Sequence, residues 1–162
     1  MMNKFSLAIA IMIAIVFGSA IFFTLTTKNP PVALARDLCV KHETTASMHI
    51  HPQLEIYLED EPVLIPANIG ITEGCMKSVH THDLSGKIHL EYPYEYRFEL
   101  KDFFANWGQP FSQDQILDRR VDAEHVLTMT VDGQPSQAFE DLILRENQQV
   151  VIRYEKKTVA QQ

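Results

Sequence analysis

Met48-His49-Ile50-His51-Pro52-Gln53-Leu54-Glu55-Ile56-Tyr57-Leu58-Glu59 decides the fold class of this chain. Met48, Ile50, Leu54, Ile56 and Leu58 share one parity, while His49, His51, Gln53, Glu55 and Glu59 share the other. Successive side chains of a strand point to opposite faces, so period-two alternation marks a strand with one buried side. Both histidines fall on the polar side.

Working toward the C-terminus, Glu59-Asp60-Glu61 reads as a turn and Pro62–Ile71 (PVLIPANIGI) as a return strand. Lys77–His82 and Lys87–Glu91 form a second hairpin across Asp83-Leu84-Ser85-Gly86, and Tyr96–Leu100 alternates again. Helical spacing of Phe103, Phe104 and Trp107, followed by Gly108, predicts a helix over Lys101–Trp107 packed into the core. Ser112–Gln115 has the form of a capping box, with Phe111 and Ile116 as its hydrophobic staple, and predicts a second short helix. His125–Val131, the Asp132-Gly133 turn suited to type I′, and Gln148–Tyr154 return to strands. Leu54–Ile65 and Leu127–Leu144 echo each other as hairpins with a proline after the turn, too weakly to count as a repeat.

Working toward the N-terminus, residues 29–47 read as a stalk, opened by Asn29-Pro30-Pro31, which breaks any preceding helix. Phe5–Leu25 carries no charge over 21 residues. At about 1.5 Å per residue that is roughly 31 Å of helix, enough for a hydrocarbon core of about 30 Å. Gly18-Ser19-Ala20 could serve as a cleavage site, but Ile21-Phe22-Phe23 continues the span, so an uncleaved anchor is favoured over a cleaved signal. The expected organisation is an anchor over 1–28, the stalk, one domain over 48–156 and a tail over 157–162, with the domain outside the cytoplasm. Its architecture is α+β: a mostly antiparallel sheet or partial barrel, β-grasp-like arrangements included, with one or two short helices. Setting aside Lys4 and Lys28, 12 basic side chains face 21 acidic ones, which argues against a nucleic-acid partner.

Six of the seven histidines (His42, His49, His51, His80, His82 and His89) lie between residues 42 and 89. With Leu84-Ser85 as a two-residue turn, His80 falls opposite His89 and His82 opposite Lys87. His80, His82 and His89 then share one face with Glu91 and Met76, while Val79, Thr81, Ile88 and Leu90 take the core face. A loop of another length would reverse that parity. Three such imidazoles can hold zinc or copper, and His49 and His51 could join them if their strand neighbours the hairpin. Cys75 and Met76 are candidate soft ligands favouring copper. Cys39 and Cys75 are equally a candidate disulfide closing 36 residues, and a free thiol is the third role open to them. Asp83 either fixes a histidine tautomer or caps its own turn; Glu91 is a candidate ligand or general base. Solvent-facing histidines of an alternating strand are also ordinary polar residues.

His80-Thr81-His82-Asp83, Ser85-Gly86, Ile88-His89 and Glu91, then Phe103-Phe104 and Trp107-Gly108-Gln109, together resemble an uncharacterised family of N-terminally anchored proteins of bacteria and archaea. The similarity runs from about His49 to Tyr154 and includes Pro66-Ala67, Ile69-Gly70-Ile71 and Cys75. It implies an extracytoplasmic domain built around these histidines, and no activity. Gly-x-Ser-x-Gly, CxxC, P-loop and HExxH patterns are absent, and no glutamate follows His82 at cupin spacing. Three functions follow: a module that holds copper or zinc for sequestration, for delivery to or from a partner protein or for structural stabilisation, a three-histidine metalloenzyme activating water, or a metal-free interaction domain.

Overall fold

The computed structural model describes residues 32–40 and 47–158. In chain order these are helix α1 (Val32–Asp37), β1 (Cys39–Val40), β2 (Met48–Ile50), β3 (Gln53–Leu58), β4 (Glu61–Pro62), β5 (Ile71–Thr72), β6 (Cys75–Lys77), β7 (Val79–His80) and β8 (His89–Tyr92). Helix α2 (Leu100–Trp107) comes next, then β9 (Phe111–Ser112), β10 (Gln115–Ile116), β11 (Arg119–Arg120), β12 (His125–Val131), β13 (Gln134–Pro135), a 3-10 turn (Phe139–Asp141) and β14 (Gln149–Lys156). This is a mixed α+β fold dominated by antiparallel sheet, with two short helices.

The largest sheet has the order β13-β12-β14-β3-β4. At its centre β14 runs antiparallel to β12 and parallel to β3. Alternation along these strands places Leu54, Ile56, Leu127, Met129, Val150, Ile152 and Tyr154 in the core. Each outer pair is a hairpin whose two turn residues have positive φ, Glu59-Asp60 in one and Asp132-Gly133 in the other. Pro62 faces Tyr57 and Pro135 faces Thr130, so the echo in sequence is two hairpins of one design flanking β14. Both prolines occupy edge strands, where a missing N–H breaks no ladder.

A second sheet, β2-β8-β7, carries the histidines. Val79 faces Leu90 and His80 faces His89, the register expected from alternation. Val79, Thr81, Ile88 and Leu90 are all buried, as their parity predicts. The two-residue turn is not formed. Lys87 bridges to Gln53 instead of His82, Leu54 N–H donates to the Gly86 carbonyl at 2.9 Å, and Ile88 N–H donates to Pro52 at 2.9 Å. The loop after β7 is therefore laced to the start of β3, and its length leaves the parity of His80 and His89 unchanged.

Gly86 shows how close that lacing is: its φ is +79°, and a Cβ there would lie 2.3 Å from the Leu54 carbonyl oxygen. The left-handed conformation costs a non-glycine residue about 1–2 kcal/mol, and forced overpacking about 1–3 more. Gly86→Ala is thus expected to destabilise by about 2–5 kcal/mol in urea unfolding. Gly133→Ala, with open space around its Cβ, should cost only the conformational part.

Helix α2 forms one residue earlier than its apolar spacing predicts and buries Phe103 and Phe104, with Trp107 packed against the core. Glu99 N–H donates to Asp102 Oδ2 at 2.9 Å, and Gly108 ends the helix at φ 72°. Two expectations are corrected. Ser112–Gln115 starts no helix: Phe111 faces Ile116 across a short meander, β9-β10-β11, and Ser112 Oγ accepts from Asp114 N–H. Pro62–Ile71 is not a continuous strand, because Asn68 and Gly70 adopt positive φ and wrap the segment over Thr81.

Part of the segment expected as a stalk packs onto the domain. β1 pairs with β6, Ala35 is buried, and Arg36 reaches Asp102 at 3.4 Å. Burial raises the pKa of the Asp102 carboxyl, partly opposed by its hydrogen bonds from Glu99 and Arg36. Among the described residues no helix is long and apolar enough to cross a membrane. The expected span Phe5–Leu25 and His42 lie outside the described residues.

Candidate metal centre

The order β2-β8-β7 puts the strand bearing His89 and Glu91 between the two that lead into His-x-His pairs. His49 faces Glu91 on one side, and His80 faces His89 on the other. Five imidazoles and one carboxylate consequently gather on a single sheet face. Two sets of three offer ligand atoms that all lie within 4.8 Å of one another: His80, His82 and His89, and His49, His51 and His89. The cluster is thus consistent with a metal-binding site.

Within each pair the geometry is the same. His80 Nε2 lies 3.1 Å from His82 Nε2, and His49 Nε2 lies 3.1 Å from His51 Nε2. Two nitrogens bound to one ion at about 2.0–2.1 Å would stand roughly 2.9 Å apart at a right angle and 3.4 Å apart at the tetrahedral angle. The observed separation falls between these limits.

Behind two of the rings stand oxygen atoms. His80 Nδ1 donates to the Lys77 carbonyl at 2.8 Å, directing Nε2 toward the cluster. His51 Nδ1 stands 3.6 Å from Glu146 Oε2, and the same oxygen accepts the His51 backbone N–H at 2.7 Å. Neither Glu146 nor the Lys77 carbonyl carries a signal in the sequence. Glu146 is 95 positions from His51, and the other group is backbone.

The centre has a deep and a shallow side. His80 is fully buried and Glu91 nearly so, whereas His82 and His49 are exposed and His51 and His89 half-buried. Glu91 Oε1 lies 3.3 Å from His49 Nε2 and 3.9 Å from His80 Nε2, between the two triads. Thr81 locks the end of β7: its Oγ1 donates to Pro66 and accepts the Ile69 N–H. Asn106 of α2 donates to the Val79 carbonyl at 2.8 Å. The segments Pro66–Gly70 and α2, both within the string that suggested a family, therefore support the histidine strand.

The remaining candidates lie elsewhere or act otherwise. Cys75 is joined to Cys39 as a disulfide, so its sulfur is not open to an ion. Met76 sits in the sheet β1-β6-β5, paired with Val40 and Ile71. Asp83 is exposed and accepts the Ser85 N–H at 2.8 Å, a turn cap whose hydrogen bonds from Ser85 lower its pKa. Among the described residues the donors at the cluster are nitrogen with one carboxylate. His125 is remote, stacked on Tyr154 and bonded to Asp122 at 2.9 Å.

Burial pushes the His89 pKa down to about 4, with the neighbouring His82, His51 and His49 adding to the effect. A neutral imidazole at pH 7 is a ligand ready for an ion. In the metal-free chain the unfolded state binds a proton at His89 below about pH 6.5 and the folded state only near 4. Stability from this residue is complete above pH 6.5 and is lost as pH falls from 6.5 toward 4. Urea midpoints measured across that window should fall with pH, and His89→Gln should flatten the slope.

No protein-family model matches the chain, and no curated protein and no solved structure matches it.

Proposed function

We propose that the domain holds a zinc or copper(II) ion on His80, His82 and His89 and uses its open coordination position to activate water. One observation carries this reading: three ligand nitrogens converge within 4.8 Å on a face where Glu91 supplies a buried carboxylate. Three protein ligands leave a tetrahedral ion one position for water, whose pKa such an ion lowers to about 7. Glu91, reaching toward His80 and His49, is placed to accept the proton that this water releases. Among the described residues the cluster has no sulfur donor, which favours zinc or copper(II) over copper(I).

A second reading, metal holding for delivery to a partner protein, rests on the exposure of His82 and His49, which an incoming ligand could replace one at a time. The Cys39–Cys75 disulfide supports a place outside the cytoplasm, with the N-terminal apolar segment as its membrane anchor. Kinship with the N-terminally anchored family that the sequence resembles belongs to the same reading. Parallel β3 and β14 side by side in the sheet, each with an antiparallel neighbour on its other side, support a β-grasp-like description.

Elemental analysis of the purified 162-residue chain after growth with zinc and copper tests the proposal. At least one equivalent of either ion is expected. Less than about a tenth of an equivalent, with no uptake on titration, would leave only the metal-free interaction domain. With metal bound, Glu91→Gln separates the other two readings. It should abolish turnover of activated ester or carbon dioxide by an enzyme, and a carrier would show no turnover to lose.

A further inference from the structure

The two triads are not independent, because His89 belongs to both. Its ring neighbours both pairs, 5.3 Å from His80 and 6.3 Å from His49 between centroids. The centroid distances are 4.6 Å to His82 and 4.7 Å to His51, with the ring planes 76° and 88° apart. Strand order explains this: β8 is central, β7 leads into one His-x-His pair, and β2 opens the other. Each pair presents its Nε2 atoms to each other at 3.1 Å, and each has a member whose Nδ1 faces an oxygen, 2.8 Å away for His80 and 3.6 Å for His51. A single ion accounts for one pair and leaves the second, equally convergent pair without a role.

We infer that the centre takes two divalent ions, one on His80 and His82 and one on His49 and His51, with the His89 ring bridging them through its two nitrogens. Neutral imidazole carries one N–H, so using both nitrogens as ligands breaks that bond and releases one proton to solvent. The ring becomes an imidazolate. Its negative charge, together with that of Glu91 between His49 and His80, offsets the repulsion between the ions. The second ion is the more accessible one, since His49 is half exposed. It lies beside a cleft of about 450 Å³ lined by His49, Tyr96, Arg97, Arg145 and Glu146.

This inference rests on the proposed metal site, and the test separates the two. The 162-residue chain is titrated with copper(II), with metal content, proton release and electron paramagnetic resonance measured together. Two ions per chain are expected, with one proton attributable to the bridge and a spectrum attenuated by magnetic coupling. His49→Ala His51→Ala, which alters exposed and half-buried positions, should bind one ion with a full, uncoupled signal. Saturation at one ion in both proteins overturns the bridge but leaves the mononuclear site standing. Two ions with undiminished, independent signals also overturn it. Binding of no ion removes both proposals.

Discussion

A chain carrying His82→Ala and His89→Ala together is expected to lose zinc and copper(II) binding at the deep triad. The cost should be at least about 100-fold in affinity for each ligand removed, because even removing the partner behind a metal-bound histidine costs about 10–100-fold. The pair suits the purpose because His82 is exposed and His89 half-buried, so its loss reads on binding more than on folding. Loss of the exposed His82 should move stability by less than about 0.5 kcal/mol, and a urea midpoint reads any cost at the half-buried His89 separately from binding. His80→Ala alone would be a poorer choice. It removes a fully buried ring and strands the Lys77 carbonyl, at a cost of about 1–3 kcal/mol. Asp83→Asn is the control, since Asp83 caps its own turn, and affinity should not change. Isothermal titration of both variants decides the matter; full affinity in the double variant refutes this site.

Cys39→Ser Cys75→Ser should produce the largest loss of stability. The disulfide spans 36 residues of sequence, and the loop-entropy relation assigns a closure of that length about 3–5 kcal/mol. Without it, β1 keeps its two-residue ladder to β6, the Ser78 N–H bond to the Leu38 carbonyl at 2.9 Å, and the Lys77–Asp37 and Arg36–Asp102 ion pairs, all of them at its edge of the domain. Urea unfolding under non-reducing conditions should therefore show a lower midpoint, with hydrogen exchange rising first in α1 and β1. Metal affinity should fall by about 10-fold as well. Lys77 ends β6, and its carbonyl orients His80. An unchanged midpoint would mean that the surrounding packing already supplies the constraint.

The strands with long alternation were legible before any coordinates. Leu54-Ile56, Leu127-Met129 and Val150-Ile152 mark their own burial, because period two ties each residue to a face. Helix α2 announced itself through Phe103, Phe104, Trp107 and Gly108. The failures came where a local signal had two uses. Ser112 and Gln115 satisfy a capping box on paper, but Phe111 and Ile116 meet across a ladder instead of along a helix. The run at 62–71 is apolar enough for a strand, yet Asn68 and Gly70 turn it over Thr81. Composition cannot distinguish a return strand from a strap when both bury the same residues.

At the centre, the sequence by itself determined which residues could face one another. His80, His89 and Glu91 share a parity, and that pairing survives a loop of unexpected conformation, since parity depends on register and not on turn shape. Only the tertiary structure decided that β2 adds to the free edge of β8, bringing His49 and His51 to His89 from the other side. It also decided that Glu146 stands behind His51 and that Cys75 is committed to Cys39. The reason is physical. Alternation is a property of one strand and its neighbours in sequence, whereas the choice of a non-adjacent strand is made by the core that both must bury. No single segment carries that information.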